Sequence, residues 1–312
     1  MSGPSSEKEL RARRGPEPLL EGKDTFRELE EARDRPAIEG LLQRAVPHDY
    51  LVPILDRWLR ARGVLGAFDG KELVSLLRLD DLGEGEGWIG AIRVAPERRK
   101  EGWGRRLTHW ALEVAHELGM STVRLIIEDE NTASLALARR LGFRSVAAMS
   151  HVVGRATGGH GGALRAMRPP TEQEVPEPED LEGVRGLGGY LLTTVPRPMR
   201  FVRATRGRLL REAQVGTLGL VGTDPREGLC LLGPPSTSGR TSESQLRLLA
   251  PLGTAAVEIF ETACAQTAKD ESLLEGFLPL VGPWLGELHD RGWLSGEKAF
   301  WGERIQLYEI EV

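Results

Sequence analysis

The sequence predicts an α+β fold built on a mixed sheet, and three observations predict it. Short apolar runs of strand length alternate with stretches of helical spacing, in the order β, α, α, β, β, β, α, β, α, β over residues 24–155. Asp69-Gly70 sits between two apolar runs, which is a hairpin signal, and Gly83 to Gly87 marks a second turn. Trp103 to Leu118 places Leu107, Trp110, Ala111, Val114, Ala115 and Leu118 at helical spacing.

The elements follow in order. "TFRELEEARDRPAIEGLLQRA" reads as a short strand and then a helix with Ile38, Leu41 and Leu42 on one side. "HDYLVPILDRWLR" is a second helical piece interrupted by proline. Three antiparallel strands end with Gly87 to Val94, and the Trp103–Leu118 helix follows. "STVRLIIEDE" is a strand, and "NTASLALARRLGF" is a helix with Asn131 at its N-cap and Gly142 at its stop. "RSVAAMSHVV" closes this unit as a strand.

From about residue 156 the composition turns to Gly, Pro and acids, which reads as a linker over 156–180. Residues 181–312 then repeat the order of the first unit faintly. "GTLGLVG" and "GLCLLG" suggest a hairpin, Ser242 and Gln245 stand at capping-box spacing, "AAVEIF" suggests a strand, and "ERIQLYEIEV" suggests a closing strand. "GPWLGELHDRGW" mirrors "LALARRLGF", and "PPSTSGR" stands where the first unit has two glycines. The expected layout is a flexible tail over 1–23, a domain over 24–155, the linker, and a second domain over 181–312.

The 312 residues are 40% hydrophobic and 28% charged, with net charge −5. That balance supports two globular domains and argues against nucleic acid or an anionic membrane as partner. Two cysteines and six scattered histidines give no disulfide framework and no metal-ligand spacing, so no metal is expected. No apolar run reaches membrane-span length and no signal-peptide block opens the chain, so a cytoplasmic location is expected.

The chemistry points to "VAPERRKEGWGRRL", residues 94–107. The first turn of a helix offers N–H groups without helical partners, and with the helix dipole they make an anion seat. Glycine lets a ligand approach the backbone, and Arg99, Lys100, Arg105 and Arg106 add positive charge. A solvated turn would show the same charges.

Arg99-Lys-Glu-Gly102-Trp-Gly104 fits R/Q-x-x-G-x-G/A. About thirty residues on, Asn131, Ser134, Leu137, Leu141, Gly142 and Phe143 fit N-x-x-(small)-x-x-L-x-x-x-L-G-F. Over roughly residues 25–155 this pair of motifs resembles the GNAT (Gcn5-related N-acetyltransferase) family, and the second half resembles a degenerate copy of that fold, giving a tandem GNAT. The resemblance implies acetyl-CoA as donor. Its pyrophosphate would lie on the N–H groups of Lys100, Glu101, Gly102, Trp103, Gly104 and Arg105, with Arg99 as a further cofactor-binding residue. Its pantetheine arm would run along Ile92, Arg93 and Val94 as an added strand, with Asn131 on the other side. Gly90 would mark a bend that splays the strands; packing would equally call for a small residue there.

The resemblance also exposes departures. Family members commonly carry a tyrosine that protonates the leaving thiolate, and the matching residue here is Ala138. The usual strand carboxylate is replaced by Trp88. Glu84 and Glu86 lie upstream and could act through water, and Glu128 precedes Asn131 on its strand; Glu128 and Glu86 are the candidate bases. For the acceptor, "VPHDYLVPILDRWLR" offers His48, Asp49, Tyr50 and Trp58, in a stretch that resembles the histidine N-acetyltransferase-like branch over a few residues. Core packing would also explain Tyr50 and Trp58.

The expected activity is transfer of acetyl from acetyl-CoA to a primary amine of a small molecule or amino acid. A catalytically weak acetyl-CoA-binding or scaffolding module and a protein or peptide N-acetyltransferase are the alternatives. A homodimer stays open. The second half lacks the glycine motif and is expected to bind no CoA.

Overall fold

The computed structural model describes residues 18–21, 23–47, 49–155, 167–194, 199–233, 236–237, 245–267, 273–280, 286, 288, 290, 294–295 and 304–312. They fall into two compact units that interleave along the sequence. The first holds the described residues of Met1–Leu125, Ala133–Arg144 and Tyr308–Val312, and the second holds those of Ile126–Thr132 and Ser145–Leu307. These units do not follow the expected 24–155 and 181–312 division. Residues 1–17 of the expected tail and 156–166 of the expected linker lie outside the described residues.

The first unit runs β1 (Leu19–Glu21), β2 (Asp24–Glu28), α1 (Glu31–Ala45), α2 (Leu55–Arg60), β3 (Val64–Asp69), β4 (Glu72–Asp81), β5 (Glu86–Val94), α3 (Trp103–Glu117), the start of β6 (Thr122–Glu128), and α4 (Thr132–Leu141) from Ala133 on. β1 through β5 pair antiparallel in sequence order. β5 and β6 pair in parallel, Glu86 with Thr122 through Trp88 with Arg124. The crossover between them is α3, as a parallel pair requires.

The expected order therefore stands, with β1 added in front. Helical spacing explains the packing: Ile38, Leu41, Leu42 and Ala45 of α1 share a core with Trp58, Leu59, Val64, Leu73 and Leu76. Leu107, Trp110, Ala111, Val114 and Ala115 of α3 are buried as their spacing demands. Residues 308–312 belong to this unit too. Glu309 accepts from Arg124 Nε at 2.7 Å, and the Val312 N–H donates to Ser121 O at 3.1 Å.

The second unit contains β7 (Arg144–Arg155) from Ser145 on, β8 (Met167–Arg168), α5 (Glu182–Gly186), β9 (Tyr190–Thr193), β10 (Arg200–Arg203), α6 (Arg206–Gln214) and β11 (Leu218–Val221). It continues with α7 (Pro225–Gly228), β12 (Leu229–Leu232), β13 (Ser236–Thr237), β14 (Gln245–Pro251), α8 (Ala256–Thr267), β15 (Leu273–Pro279), β16 (Leu294–Ser295) and the first part of β17 (Arg304–Glu311). β7 pairs with β15, β14 with β12, β12 with β11 and β11 with β8, all antiparallel. β14 and β15 pair in parallel around α8, repeating the β5–α3–β6 arrangement. Residues 167–180, expected as linker, carry β8 and two 3-10 turns at Glu172–Glu174 and Pro178–Asp180.

Two expectations for this half are corrected. Gln245 opens a strand, not a helix; Ser242 lies outside the described residues. Leu249 and Ala250 are both buried, as in a strand covered on both faces, and such a strand shows no alternation. "AAVEIF" lies on a helix, since Ala256, Ile259, Phe260 and Ala263 line one helical face in the core. The hairpin of β11 and β12 and the closing strand β17 are present as read.

Candidate functional site

The loop 95–102 is built for its shape. Ala95 donates its N–H to Val74 O at 2.9 Å, Pro96–Arg98 makes a 3-10 turn, and Lys100 and Gly102 take φ of +69° and +88°. Left-handed backbone at these two nearby positions turns the chain sharply into the helix that follows. α3 starts at Trp103, and the N–H of Arg106 bonds Gly102 O at 3.0 Å. The N–H groups of Trp103, Gly104 and Arg105 therefore precede the helical ladder.

The two glycines serve different ends. A Cβ on Gly102 would meet nothing within 4 Å, so its left-handed φ is what asks for glycine. A Cβ on Gly104 would stand 3.3 Å from Val94 Cγ2, so there the need is closeness to β5.

Side chains around the loop are divided between solvent and structure. Lys100 and Arg105 are exposed. Arg99 donates from Nη2 to Ala45 O at 2.7 Å and so ties the loop to the end of α1. Trp103 is buried, with the Arg106 guanidinium 4.0 Å from its ring and its Nε1 donating to Glu101 Oε2 at 3.1 Å. Arg98 and that indole N–H hold the Glu101 carboxyl below the usual range. Trp103, being buried, can thus meet a ligand only through backbone.

β5 supplies the second part of the site. Leu76 pairs with Arg93 and Arg78 with Gly90, so β5 has one residue more than β4 between these pairs. This is a β-bulge, and Ala91 carries it with φ of +56°. The bend expected at Gly90 is present one residue later. β5–β6 pairing ends at Trp88–Arg124, and Ile92, Arg93 and Val94 are half-buried with no strand partner on that side among the described residues. Ser75 Oγ donates to Arg93 O at 2.8 Å and pins this edge from β4. An unpaired strand edge is the surface an extended, amide-bearing chain can join.

The expected acceptor residues are placed as follows. Asp49 is fully buried and accepts from Arg93 Nε at 2.6 Å and Nη2 at 2.9 Å, as well as from the Leu51 N–H at 3.1 Å. Burial alone would lower the Arg93 pKa, but its bonds to Asp49 outweigh that and raise it. Tyr50 is half-buried beside this pair, its ring 5.3 Å from the Arg93 guanidinium. Trp58 is buried and packed with α1 and β3, as core packing would have it. His48 lies outside the described residues.

The candidate bases separate. Glu86 is buried, and its Oε2 lies 3.0 Å from Arg124 Nη1; Arg124 also holds Glu309. Five strand steps, about 17 Å, separate it from Ala91. Glu128 is half-buried at the end of β6, and its carbonyl accepts the Asn131 N–H at 3.0 Å. Glu128 and Asn131 belong to the second unit. Ala138 is buried and brings no proton donor.

Two charged residues escaped the sequence reading. Arg78 and Asp80 of β4 are buried, with Arg78 Nε donating to Asp80 Oδ1 at 2.5 Å and Nη1 to Trp58 O at 2.8 Å. The signal was "SLLRLDDL", charges set in an apolar strand.

In the second unit the loop from β14 to α8 is short. Its Leu252 and Gly253 N–H groups both bond Leu229 O, at 2.8 and 3.1 Å, and Ala255 N–H bonds Glu227 O at 3.0 Å. This loop, not "PPSTSGR", stands in the place of the glycine loop, and its Leu252, Gly253 and Ala255 N–H groups are occupied by backbone. Among the described residues no group of His, Cys, Asp or Glu is arranged to hold a metal, and no helix is long and apolar enough to cross a membrane.

Residues 27–143 match the Acetyltransferase (GNAT) family. No curated protein matches the sequence. Among solved structures, a GCN5-related N-acetyltransferase from Sphaerobacter thermophilus is similar with a TM-score of 0.60 at 16% identity, over 94% of this chain and 97% of that one. A tandem GNAT protein from the clavulanic acid biosynthesis pathway, solved without acetyl-CoA, is similar with a TM-score of 0.56 at 16% identity, over 92% of this chain and 98% of that one. At such identities the likeness concerns fold, and it extends through both units.

Proposed function

Starting from a chain whose residues 27–143 match the GNAT acetyltransferase family, we propose that it transfers acetyl from acetyl-CoA to a primary amine of a small molecule or amino acid. The observation that carries the reading is the bulged, unpaired edge of β5 at Ile92–Val94, contiguous through one loop with the open N–H groups of Trp103–Arg105. The residues present fit the donor: a loop with two left-handed positions running into a helix N-terminus, a glycine at close approach to β5, and exposed Lys100 and Arg105 suit a diphosphate, while the strand edge suits an amide-bearing arm.

In this reading the loop and the α3 N–H groups hold the diphosphate, and the β5 edge fixes the thioester carbonyl. Proximity of this kind is worth about 7–11 kcal/mol of barrier. A neutral amine forms the C–N bond as the C–S bond breaks. With Ala138 at the usual acid position, a thiolate of pKa about 8.5 leaves without a proton, at a cost of about 10²–10⁴-fold in rate. The proton that the amine sheds on bond formation passes to water. An α-amino group, titrating near 8, needs the least help.

Mass spectrometry of an amine panel incubated with acetyl-CoA tests this. Acetylated amine is the expected product; thiol released only by hydrolysis, with no amine modified, would overturn it. The buried Ala138 favours one rival, a binding module that holds acetyl-CoA without turnover. Calorimetry beside the turnover assay separates them, since the rival gives heat of binding and no product.

A further inference from the structure

We propose that Arg78 reads a carboxylate on the acceptor, so that the molecule acetylated is an amino acid or other amino-carboxylate. The inference rests on the acetyl-transfer reading of the same site. Register fixes the place: Arg78 of β4 stands directly opposite Gly90 of β5, at the foot of the bulge. Paired residues share a sheet face, and Gly90 has no side chain with which to cover its neighbour. Gly90 is itself half-buried, so the backbone there meets solvent. The Trp88 indole leans over this spot, its Nε1 being 3.2 Å from where a Gly90 Cβ would sit.

The guanidinium is built in. Nε is fixed by Asp80 and Nη1 by Trp58 O, and the Trp58 ring centroid lies 5.8 Å from the guanidinium carbon. Nη2 forms no hydrogen bond among the described residues, and the side chain keeps 7% exposure. A planar cation locked at one edge by a carboxylate and a carbonyl presents its other edge without further ordering cost. Packing alone would be met by an apolar residue, whereas this strand buries an arginine and then an aspartate to hold it. A carboxylate is the group that matches a guanidinium edge. Asp80 acts through Arg78 and is a positioning residue.

The test compares amino acids with their decarboxylated amines and their amides, in the full chain, reading kcat/KM, together with CoA affinity by calorimetry. Wild type is expected to favour the carboxylate form by about 10–100-fold, the range of one charge-assisted hydrogen bond. Arg78→Gln is expected to abolish that preference, chiefly through KM, with CoA affinity unchanged. Arg78→Lys, which keeps the charge and loses the fork, should retain part of it and guards against a variant that fails to fold. Equal or better turnover of decarboxylated amines by wild type would overturn the proposal while leaving acetyl transfer intact. So would a preference that survives in Arg78→Gln, or the absence of any acetylated amino-carboxylate. Loss of CoA binding in the wild type would instead remove the donor reading and this inference with it.

Discussion

Gly102 and Gly104 are two residues apart and answer to different physics. Gly102→Ala places a Cβ in open space on a left-handed backbone, a strain of about 1 kcal/mol. Gly104→Val drives atoms against Val94 on the strand edge. We expect Gly102→Ala to lower thermal stability slightly, and Gly104→Val to weaken CoA binding by at least about tenfold with a smaller effect on folding; denaturation curves and calorimetry distinguish the two. Ala138→Tyr is expected to disappoint as a repair. The side chain is buried, so a phenol overpacks α4 by about 1–3 kcal/mol, and the melting temperature should fall without a gain in kcat. Asp34 gives the pH dependence. Burial opposes its charge, but the Arg27 and Arg33 guanidiniums and the Glu30 N–H outweigh burial and hold its carboxyl well below the usual range. A depressed folded pKa means stability present above about pH 4 and lost as pH falls through the folded value. The gap between wild type and Asp34→Asn should therefore be full at pH 7 and close on acidification, as urea titrations at several pH values would show.

At the scale of elements, the two β–α–β crossings differ in their loops. Both helices have first-turn N–H groups ahead of the ladder, but the loop N–H groups of Leu252, Gly253 and Ala255 just before α8 are bonded to Leu229 O and Glu227 O. We expect CoA to slow amide hydrogen exchange at Ile92–Val94 and Trp103–Arg105 and to leave Leu252–Ala255 unchanged. Protection at Leu252–Ala255, or none in the first loop, would contradict this assignment. The first crossing was legible because its signals are local: hairpin glycines, a loop motif and an amphipathic helix lie within a few residues of one another. The second was read out of register. A strand buried on both faces loses its alternation, and a helix rich in Val, Ile and Phe imitates a strand over six residues. The partners of single residues were illegible for a related reason. Nothing near Glu86 in sequence announces Arg124, and nothing near Asp49 announces Arg93, 44 residues away. Partners decide whether a carboxylate is free to do chemistry, and partners are non-local.

At the scale of the whole molecule, residues 308–312 belong to the unit that begins near residue 18, anchored by Glu309 on Arg124 and by Val312 on Ser121. Arg124 is buried between two carboxylates, so Arg124→Met should leave them uncompensated and cost about 3–5 kcal/mol. Deleting 308–312 should abolish cooperative unfolding of the first unit and its CoA affinity, and adding the missing strand as a peptide should restore part of both.

This arrangement also orders events in time. Domains ordinarily settle as they emerge from the ribosome. Here the earlier half must wait, its sheet unfinished, through some 160 further residues of translation before Tyr308 arrives. A prematurely stopped product therefore carries every loop glycine and every candidate side chain of the first unit and still lacks the piece that lets them stand in place.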